Sequence, residues 1–398
     1  MTTRLNKAAS SPAGFLGQST GLWLSAVALA ALSACSSSDP EKPPTLNGEA
    51  PMVVAHRGAS GYLPEHTVEA YAKAIELGAD AIEPDLVVTK DGVLIARHDP
   101  NLKFSTNVAD HPEFASRKKT TLVDGESQEG WFASDFTLVE IKTLGALMTT
   151  DATRPQQFNG LYKPATFQEI IDLAKAKSKE TGRVISVYPE TKNPTYHRDL
   201  GLPIEDTLIK MISDAGWNSK TAPVFVQSFE PSSLKYLRGK GLNVRLVQLI
   251  DADDYDFANG TLTYTLPYDR PYDWTKAGDK RLFSSMVTVT GLTEIKTYAD
   301  GIGPWKPYIV PIKGTGKTLV ENSTQPATTL VADAHKLGLI VHPYTFRNEA
   351  RRLAKDYSGD PRAEYLQFYR LGVDGVFSDF TDTAVTARQA FMKERGYD

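Results

Sequence analysis

Short, strongly apolar segments alternate with longer amphipathic ones from residue 51 to the end of the chain, and this alternation restricts the fold more than any other feature. Short apolar runs between turn residues are typical of buried strands, whereas apolar residues three and four apart are typical of helices. The strand candidates lie at 52–55, 81–88, 184–188, 224–229, 244–250, 308–312, 339–344 and 375–378, and helical segments separate them, for example at 65–77, 204–215, 231–239, 326–337 and 362–371. Regular alternation of this kind predicts parallel β/α units.

Eight such units predict an α/β fold of the TIM type, a (β/α)8 barrel that occupies residues 51–398 as one domain. The first strand candidate is not followed by a Gly-x-Gly-x-x-Gly turn, which argues against an open, doubly wound sheet. Residues 101–160 are polar and rich in turn signals, so we expect a small insertion there, after the second strand. Residues 251–300 are expected to form a second elaborated loop.

The first 34 residues are predicted to be a lipoprotein signal peptide. Residues 21–34 form an apolar run that is too short to span a bilayer, and Arg4 and Lys7 precede it. The run ends in Leu-Ser-Ala-Cys35, which resembles a bacterial lipobox, and Cys35 is the only cysteine of the chain. We therefore expect lipidation of Cys35, with secretion in soluble form after cleavage elsewhere as the alternative.

Residues 35–50 have the composition of a linker that would tether the folded part to a membrane. Ser36 follows the cysteine, and this resembles the outer-membrane sorting pattern of Gram-negative cells. The predicted location is therefore periplasmic, with the N-terminal lipid anchored in the outer membrane. The net charge is −4 and no long basic run occurs, which argues against a nucleic-acid partner.

Polar residues recur at the carboxyl ends of the strand candidates, where the active sites of barrels lie. They are His56, Glu83, Asp85, Glu190, Gln227, His342 and Asp379. Because those ends converge on one face of a barrel, we expect residues distant in sequence to share one site.

Glu83 and Asp85 are two residues apart on a strand, so their side chains point the same way, with Pro84 between them on the other side. Two such carboxylates suit Ca²⁺ or Mg²⁺, and Glu190 could provide a third. The alternative is a pair of rim carboxylates in salt bridges with lysines.

His56 and His98 end neighbouring strand segments and could act as acid and base on a reacting phosphorus, although a solitary histidine is usually structural. Arg57 and Lys192 are candidate phosphate ligands, with surface ion pairs as the alternative. His342 is a weaker candidate because it ends a strand. The other histidines are expected to be structural, namely His66, His111, His197 and His335.

Seven motifs in order resemble the glycerophosphodiester phosphodiesterase family, and most closely its periplasmic glycerophosphodiesterase branch. They are His56-Arg57-Gly58, Pro64-Glu65-His66-Thr67, Glu83-Pro84-Asp85, His98-Asp99-Pro100, Glu190-Thr191-Lys192, Gln227-Ser228-Phe229 and Gly375-Val376-Phe377-Ser378-Asp379. The resemblance runs from Val53 to about Arg395. It departs mildly at Thr191, which is often aliphatic in relatives, and at His66, which is more commonly asparagine.

The resemblance implies a divalent metal, usually Ca²⁺ with Mg²⁺ as the alternative, at the residues that match Glu83, Asp85 and Glu190. It also implies acid–base roles for His56 and His98, phosphate contacts from Arg57 and Lys192, and substrate contacts from Gln227 and Phe229. The implied reaction converts a small-molecule glycerophosphodiester into glycerol 3-phosphate and an alcohol. Water and the glycerol 2-hydroxyl both remain open as nucleophile. Two alternatives stay open, a barrel phosphodiesterase that acts on intact lipids and a non-enzymatic surface lipoprotein.

Overall fold

Parallel strands joined by helices make up the body of the protein. The computed structural model describes residues 40–148 and 151–397. The chain divides into two units, residues 1–39 and 40–398. The predicted signal peptide and Cys35 lie outside the described residues. Within the described part, no helix is long and apolar enough to cross a membrane.

The strands and helices follow one another along the whole described chain. The strands are β1 (Met52–His56), β2 (Ala81–Glu83), β3 (Asp85–Val88), β4 (Leu94–Ala96), β5 (Lys119–Val123), β6 (Glu126–Gly130), β7 (Ser186–Val187), β8 (Glu190–Thr191), β9 (Phe225–Ser228), β10 (Arg245–Ile250), β11 (Asp254–Asp256), β12 (Thr261–Thr263), β13 (Gly301–Pro304), β14 (Ile312–Lys313), β15 (Ser323–Thr324), β16 (Ile340–Val341) and β17 (Gly375–Ser378). The helices are α1 (Val68–Glu76), α2 (Leu138–Ile141), α3 (Phe167–Thr181), α4 (Pro194–Asp199), α5 (Ile204–Asp214), α6 (Pro231–Gly239), α7 (Tyr272–Ala277), α8 (Val289–Lys296), α9 (Leu330–Lys336), α10 (Pro361–Arg370) and α11 (Thr381–Glu394).

The strands form a TIM-type arrangement of eight parallel positions, as predicted. One sheet has the order β17-β1-β2-β7, and the other has the order β16-β13-β10-β9-β8-β3-β4. Pro84 and Pro189 interrupt the second and third positions, which are therefore split into β2 with β3 and β7 with β8. Isolated parallel bridges from Val187 to Val224 and from Phe346 to Ser378 connect the two sheets.

The predicted strand at 308–312 is wrong. The sixth parallel position is β13, which pairs with β10 and β16, whereas Tyr308 ends a short 3-10 helix. The apolar signal is weak there because the position needs small residues. A Cβ on Gly301 would lie 2.3 Å from the Ile340 side chain, and one on Gly303 would lie 2.6 Å from the Leu249 side chain. Close packing inside the barrel thus hides this strand from periodicity arguments.

The insertion at 101–160 contains the β5–β6 hairpin and α2, and its apolar residues pack on the outer side of β3 and β4 through Val87 and Ile95. Residues 251–300 contain the β11–β12 hairpin, α7 and α8 before β13 begins. Residues 40–50, from the segment with linker composition, contact the barrel. Leu46 N–H donates to Asp374 Oδ1 at 2.6 Å, and Thr45 is buried.

Candidate active site

A cavity of about 680 Å³ opens at the carboxyl ends of the parallel strands, and all nine residues predicted to hold the metal, contact the substrate or transfer protons line it. They are His56, Arg57, Glu83, Asp85, His98, Glu190, Lys192, Gln227 and Phe229. The insertion and the 251–300 loop form other parts of the wall, for example through Asp124 and Tyr255. The barrel therefore collects these side chains into one site from four parallel strand positions and from the loop after β4.

Glu83, Asp85 and Glu190 form a buried carboxylate cluster. One oxygen from each lies within 4.8 Å of the others, and the three residues are 1%, 1% and 5% exposed. Strand register produces the cluster, because Asp85 pairs with Glu190 across β3 and β8 and Pro84 keeps Glu83 on the same side. Such burial argues against rim carboxylates.

The electrostatics of this cluster fit a divalent cation. Burial raises the pKa of Glu83 well above its usual range, and the neighbouring charges of Asp85 and Glu190 raise it further. Burial also raises the pKa of Glu190 to about 8, although Lys192 opposes this shift. Three converging carboxylates repel one another unless a cation neutralises them. Hard oxygen ligands of this kind suit Ca²⁺ and Mg²⁺ alike.

Neighbouring side chains hold the carboxylates in place. Gln227 Nε2 donates to Glu83 Oε1 at 3.0 Å, and the backbone N–H of Arg57 donates to Glu83 Oε2 at 2.9 Å. His66 Nε2 lies 3.0 Å from Asp85 Oδ2. Burial alone would raise the pKa of Asp85, but the His66 hydrogen bond and the charges of Lys192 and Arg57 lower it well below its usual range.

His56 ends β1, and its Nδ1 lies 2.6 Å from Asp379 Oδ1. Burial and the charge of Arg57 lower the pKa of His56 to about 4, while Asp379 opposes this shift. The imidazole is therefore neutral in the free site, and Nε2 is the nitrogen left to meet a ligand in the cavity.

His98 faces the same cavity from the loop after β4, and its side chain is 34% exposed. Its Nδ1 lies 3.1 Å from Asp99 Oδ2, and its Nε2 lies 3.3 Å from Lys192 Nζ. Lys192 also lies 3.1 Å from Glu190 Oε1. Burial opposes the charge of Lys192, but Glu190 and Asp85 raise the pKa of its ammonium group, so the lysine stays cationic.

Arg57 adopts a left-handed backbone conformation with φ of 60°. Its Nη1 donates to Glu65 Oε2 at 3.1 Å, and its Nε lies 3.4 Å from Asp85 Oδ2. The guanidinium thus lies beside the carboxylate cluster, where a phosphate bound to a cation would meet it. Arg57 and Lys192 are the cations that such an anion requires.

Comparison with known proteins identifies the family. A profile of the glycerophosphoryl diester phosphodiesterase family matches residues 56–383. The chain belongs to this family. It is 38% identical over 344 residues to the glycerophosphodiester phosphodiesterase GDPD6 of Arabidopsis thaliana, across 83% of this chain and 84% of the relative. It is 32% identical over 383 residues to a glycerophosphodiester phosphodiesterase of Haemophilus influenzae, across 92% of this chain and 97% of that protein.

Solved structures share the fold of the family. The structure of a glycerophosphoryl diester phosphodiesterase from Silicibacter pomeroyi superposes with a TM-score of 0.55 at 19% identity, over 88% of this chain and 95% of that one. An Oleispira antarctica phosphodiesterase in complex with the product sn-glycerol-3-phosphate superposes with a TM-score of 0.53 at 16% identity, over 87% and 99% of the two chains.

Phe229, Gln227 and His342 contact other residues of the protein in ways that bear on their expected roles. Phe229 packs edge-on against Phe283 and Tyr344, and Lys192 Nζ lies 5.6 Å from the centre of its ring. Gln227 contacts a predicted metal ligand, so its expected substrate contact stays a prediction. His342, a weaker candidate because it ends a strand, is not among the residues that line the cavity. It packs inside the barrel, with Nδ1 3.1 Å from the Tyr188 hydroxyl.

Three residues for which no specific role was predicted from the sequence contact members of the site. His66, which we expected to be structural, bonds to Asp85, and Asp379 bonds to His56. Arg154, from the insertion, bonds to Asp379 through Nη2 at 2.6 Å. The strand-end position of Asp379 was a usable signal, whereas the sequence around Arg154 offers none.

Proposed function

We propose that this chain hydrolyses glycerophosphodiesters, such as glycerophosphocholine or glycerophosphoethanolamine, to glycerol 3-phosphate and the free alcohol. The observation that carries the proposal is the single cavity in which three buried carboxylates, two histidines and two cationic side chains meet. The names of the relatives support it, and so does the product bound to the Oleispira antarctica protein. The seven sequence motifs, which resemble the periplasmic branch most closely, support a place in that branch.

Glu83, Asp85 and Glu190 are the residues that would hold the metal, Ca²⁺ with Mg²⁺ as the alternative. When bound, it supplies Lewis-acid polarisation of a phosphoryl oxygen and helps to orient the attacking hydroxyl. Arg57 and Lys192 bind the phosphate from two sides and stabilise the negative charge that builds up in the transition state.

His56 and His98 carry the proton transfers in this proposal. One imidazole removes the proton of the attacking hydroxyl, of water or of the glycerol 2-hydroxyl, and the other protonates the leaving alcohol. Nε2 of His56 is free to face the substrate because Nδ1 is occupied by Asp379. The leaving alcohol would extend toward the insertion and the 251–300 loop, whose varied lining supports tolerance of several alcohols.

The decisive experiment measures glycerol 3-phosphate release with a coupled dehydrogenase, with and without chelator. We expect the chelated enzyme to lose turnover and to regain it with Ca²⁺. His98→Ala should lose at least about 100-fold in kcat. His111→Ala, a histidine of the insertion bonded to Glu113, is the matched control and should retain activity. Full turnover of the chelated enzyme or of His98→Ala would contradict the mechanism, and cleavage of phospholipid vesicles instead of soluble diesters would favour the lipid-directed alternative.

We further propose a periplasmic enzyme that is anchored to the outer membrane through lipid on Cys35. The lipobox-like sequence and Ser36 support this location. Radiolabelled palmitate should enter the wild-type protein but not Cys35→Ser, and the variant should leave the membrane fraction. Equal labelling, or equal membrane retention of both proteins, would contradict the anchor.

A further inference from the structure

Asp379 and His56 lie side by side where the first and eighth strand positions end. β1 and β17 are paired, with Ala55 opposite Ser378, so His56 and Asp379, which follow them in the chain, lie side by side. Asp379 is 1% exposed, and its Oδ1 lies 2.6 Å from Nδ1 of His56. A carboxylate this close accepts the Nδ1 proton, which leaves the lone pair of Nε2 directed at the cavity.

The second oxygen of Asp379 is held by two arginines. Arg154 Nη2 lies 2.6 Å and Arg347 Nε lies 2.9 Å from Oδ2. Two cations on one oxygen keep the carboxylate ionised and fix its plane, so Oδ1 remains directed at His56. The arginines do not compete with His56, because both bond to Oδ2 and leave Oδ1 to the imidazole.

Arg154 is itself firmly placed, although it belongs to the insertion and not to the barrel. Its side chain is 2% exposed, its Nε donates to Glu349 Oε1 at 2.7 Å, and its Nη1 donates to the backbone carbonyl of Ser60 at 3.1 Å. The guanidinium therefore joins the insertion, the loop after β1 and the loop after β16 at one point. These hydrogen bonds, together with the bond to Asp379, compensate the buried charge of Arg154 and hold its guanidinium in place.

His98 has no equivalent support. Its Nδ1 lies 3.1 Å from a carboxylate oxygen of Asp99, the next residue of the chain, and both side chains are about one-third exposed. The two histidines of the cavity are thus held in different ways. His56 has a buried carboxylate partner from a distant part of the chain, whereas the distant buried partner of His98 is the cationic Lys192.

We propose that Asp379 is the positioning residue of His56, and that Arg154 extends this support from the insertion to the reacting face of the barrel. Asp379 fixes the tautomer and the ring plane of His56, and its charge stabilises the imidazolium when Nε2 carries a proton. Arg154 orients Asp379 without touching the substrate. The inference rests on the proposed function, in which His56 transfers a proton.

The test compares the full-length, Ca²⁺-loaded enzyme with Asp379→Asn. The amide keeps the shape of the side chain but loses its charge, so kcat should fall about 100-fold or more while KM changes less than about threefold. Asp379→Glu, which restores the charge one methylene further away, should recover part of kcat. Arg154→Met should lower kcat by a smaller factor, about tenfold, because Arg347 still holds the carboxylate.

The chain offers a matched control on the same strand. Asp374 precedes β17 at the opposite end of the barrel, and its Oδ2 lies 2.8 Å from Nε2 of His335. Asp374→Asn therefore also breaks a histidine–carboxylate pair, but far from the cavity. We expect it to lower the stability of the protein and to leave kcat unchanged.

Proton NMR adds a readout that does not depend on turnover. A strongly bonded imidazole N–H gives a low-field resonance, and this signal should disappear in both His56→Ala and Asp379→Asn but persist in Asp374→Asn. An inactive wild-type enzyme would refute the proposed function. The resonance alone would then show whether Asp379 holds the imidazole of His56. Wild-type kcat in Asp379→Asn, a parallel loss in Asp374→Asn, or an unchanged resonance in Asp379→Asn would overturn the inference.

Discussion

Nε2 of His66 lies 3.0 Å from Oδ2 of Asp85, and the imidazole is completely shielded from solvent. A carboxylate can only accept, so Nε2 carries the proton, and Nδ1 accepts from the Tyr71 hydroxyl at 2.7 Å. Burial lowers the pKa of His66 and keeps the ring neutral. A chain of hydrogen bonds from Tyr71 through His66 thus fixes the orientation of a predicted metal ligand.

His66→Ala should weaken Ca²⁺ binding about 10- to 100-fold, because Asp85 loses the partner that orients it. Tyr71→Phe removes only the outer hydrogen bond and should have a smaller effect. Calorimetric titration with Ca²⁺ measures both, and His111→Ala is the control. Unchanged affinity in His66→Ala would show that Asp85 needs no such support, or does not bind metal.

Glu83 and Asp85 should respond differently when each carboxylate is replaced by its amide. Burial raises the pKa of Glu83 well above its usual range, and the charge of Asp85 raises it further, so the neutral form of this group is favoured without metal. Glu83→Gln should therefore change the metal-free stability little, since Gln227 can turn its amide to accept from the new side chain. Ca²⁺ should no longer stabilise this variant against heat, because one ligand charge is lost.

Asp85→Asn should instead destabilise the metal-free protein by about 3 kcal/mol, since buried Arg57 and Lys192 lose the charge that compensates them. Thermal and denaturant unfolding with and without Ca²⁺ separates the two variants. Equal loss of metal-free stability in both would contradict opposite pKa shifts for Glu83 and Asp85.

The site residues could be predicted from the sequence because each lies near the end of an apolar strand segment, and such segments are visible in the local sequence pattern. Glu83, Asp85 and Glu190 meet because register and barrel topology bring strand ends together. The residues that orient these side chains could not be predicted from the sequence. Arg154 bonds to Asp379 across 225 residues, and nothing in its own neighbourhood predicts that contact.

In the fold, too, elements with a local sequence signal could be predicted and one without such a signal was missed. Seven of the eight predicted strand positions overlap parallel strands, and the missed one, Gly301–Pro304, is the strand whose two glycines leave little apolar pattern. Helix starts were easier to predict because their signal is local. Thr137 and Thr166 each open a Thr-x-x-Glu pattern that is typical of a capping box, and both boxes are present, each with reciprocal side-chain and backbone hydrogen bonds.

Thr166→Ala should destabilise the protein by about 1 kcal/mol. Thr166 Oγ1 accepts from the Glu169 backbone N–H at 3.1 Å at the start of α3, and alanine leaves that donor without a cap. Thr293→Ala, on the exposed side of α8, is the control and should change stability by less than about 0.5 kcal/mol. Guanidinium unfolding measures both. Equal effects would show that the cap of α3 adds nothing.

His197 should make the protein sensitive to mild acid. The ring is completely buried in α4, and neither nitrogen has a hydrogen-bond partner among residues 40–148 and 151–397. Burial lowers its pKa to about 3, whereas the unfolded chain has a histidine pKa of about 6.5. Between these values the unfolded state binds one more proton, so the free energy of unfolding decreases by up to about 1.4 kcal/mol for each pH unit lost.

His197→Leu removes this linkage. The variant should be at least as stable as the wild type at pH 7, since no buried polar nitrogen is left without a partner. Its advantage should grow by about 2 kcal/mol as the pH falls from 6.5 to 4.5, because only the wild-type unfolded state gains a proton at this residue. Urea unfolding at a series of pH values measures the difference. Parallel curves for the two proteins would mean that His197 titrates in the folded state as it does in the unfolded chain.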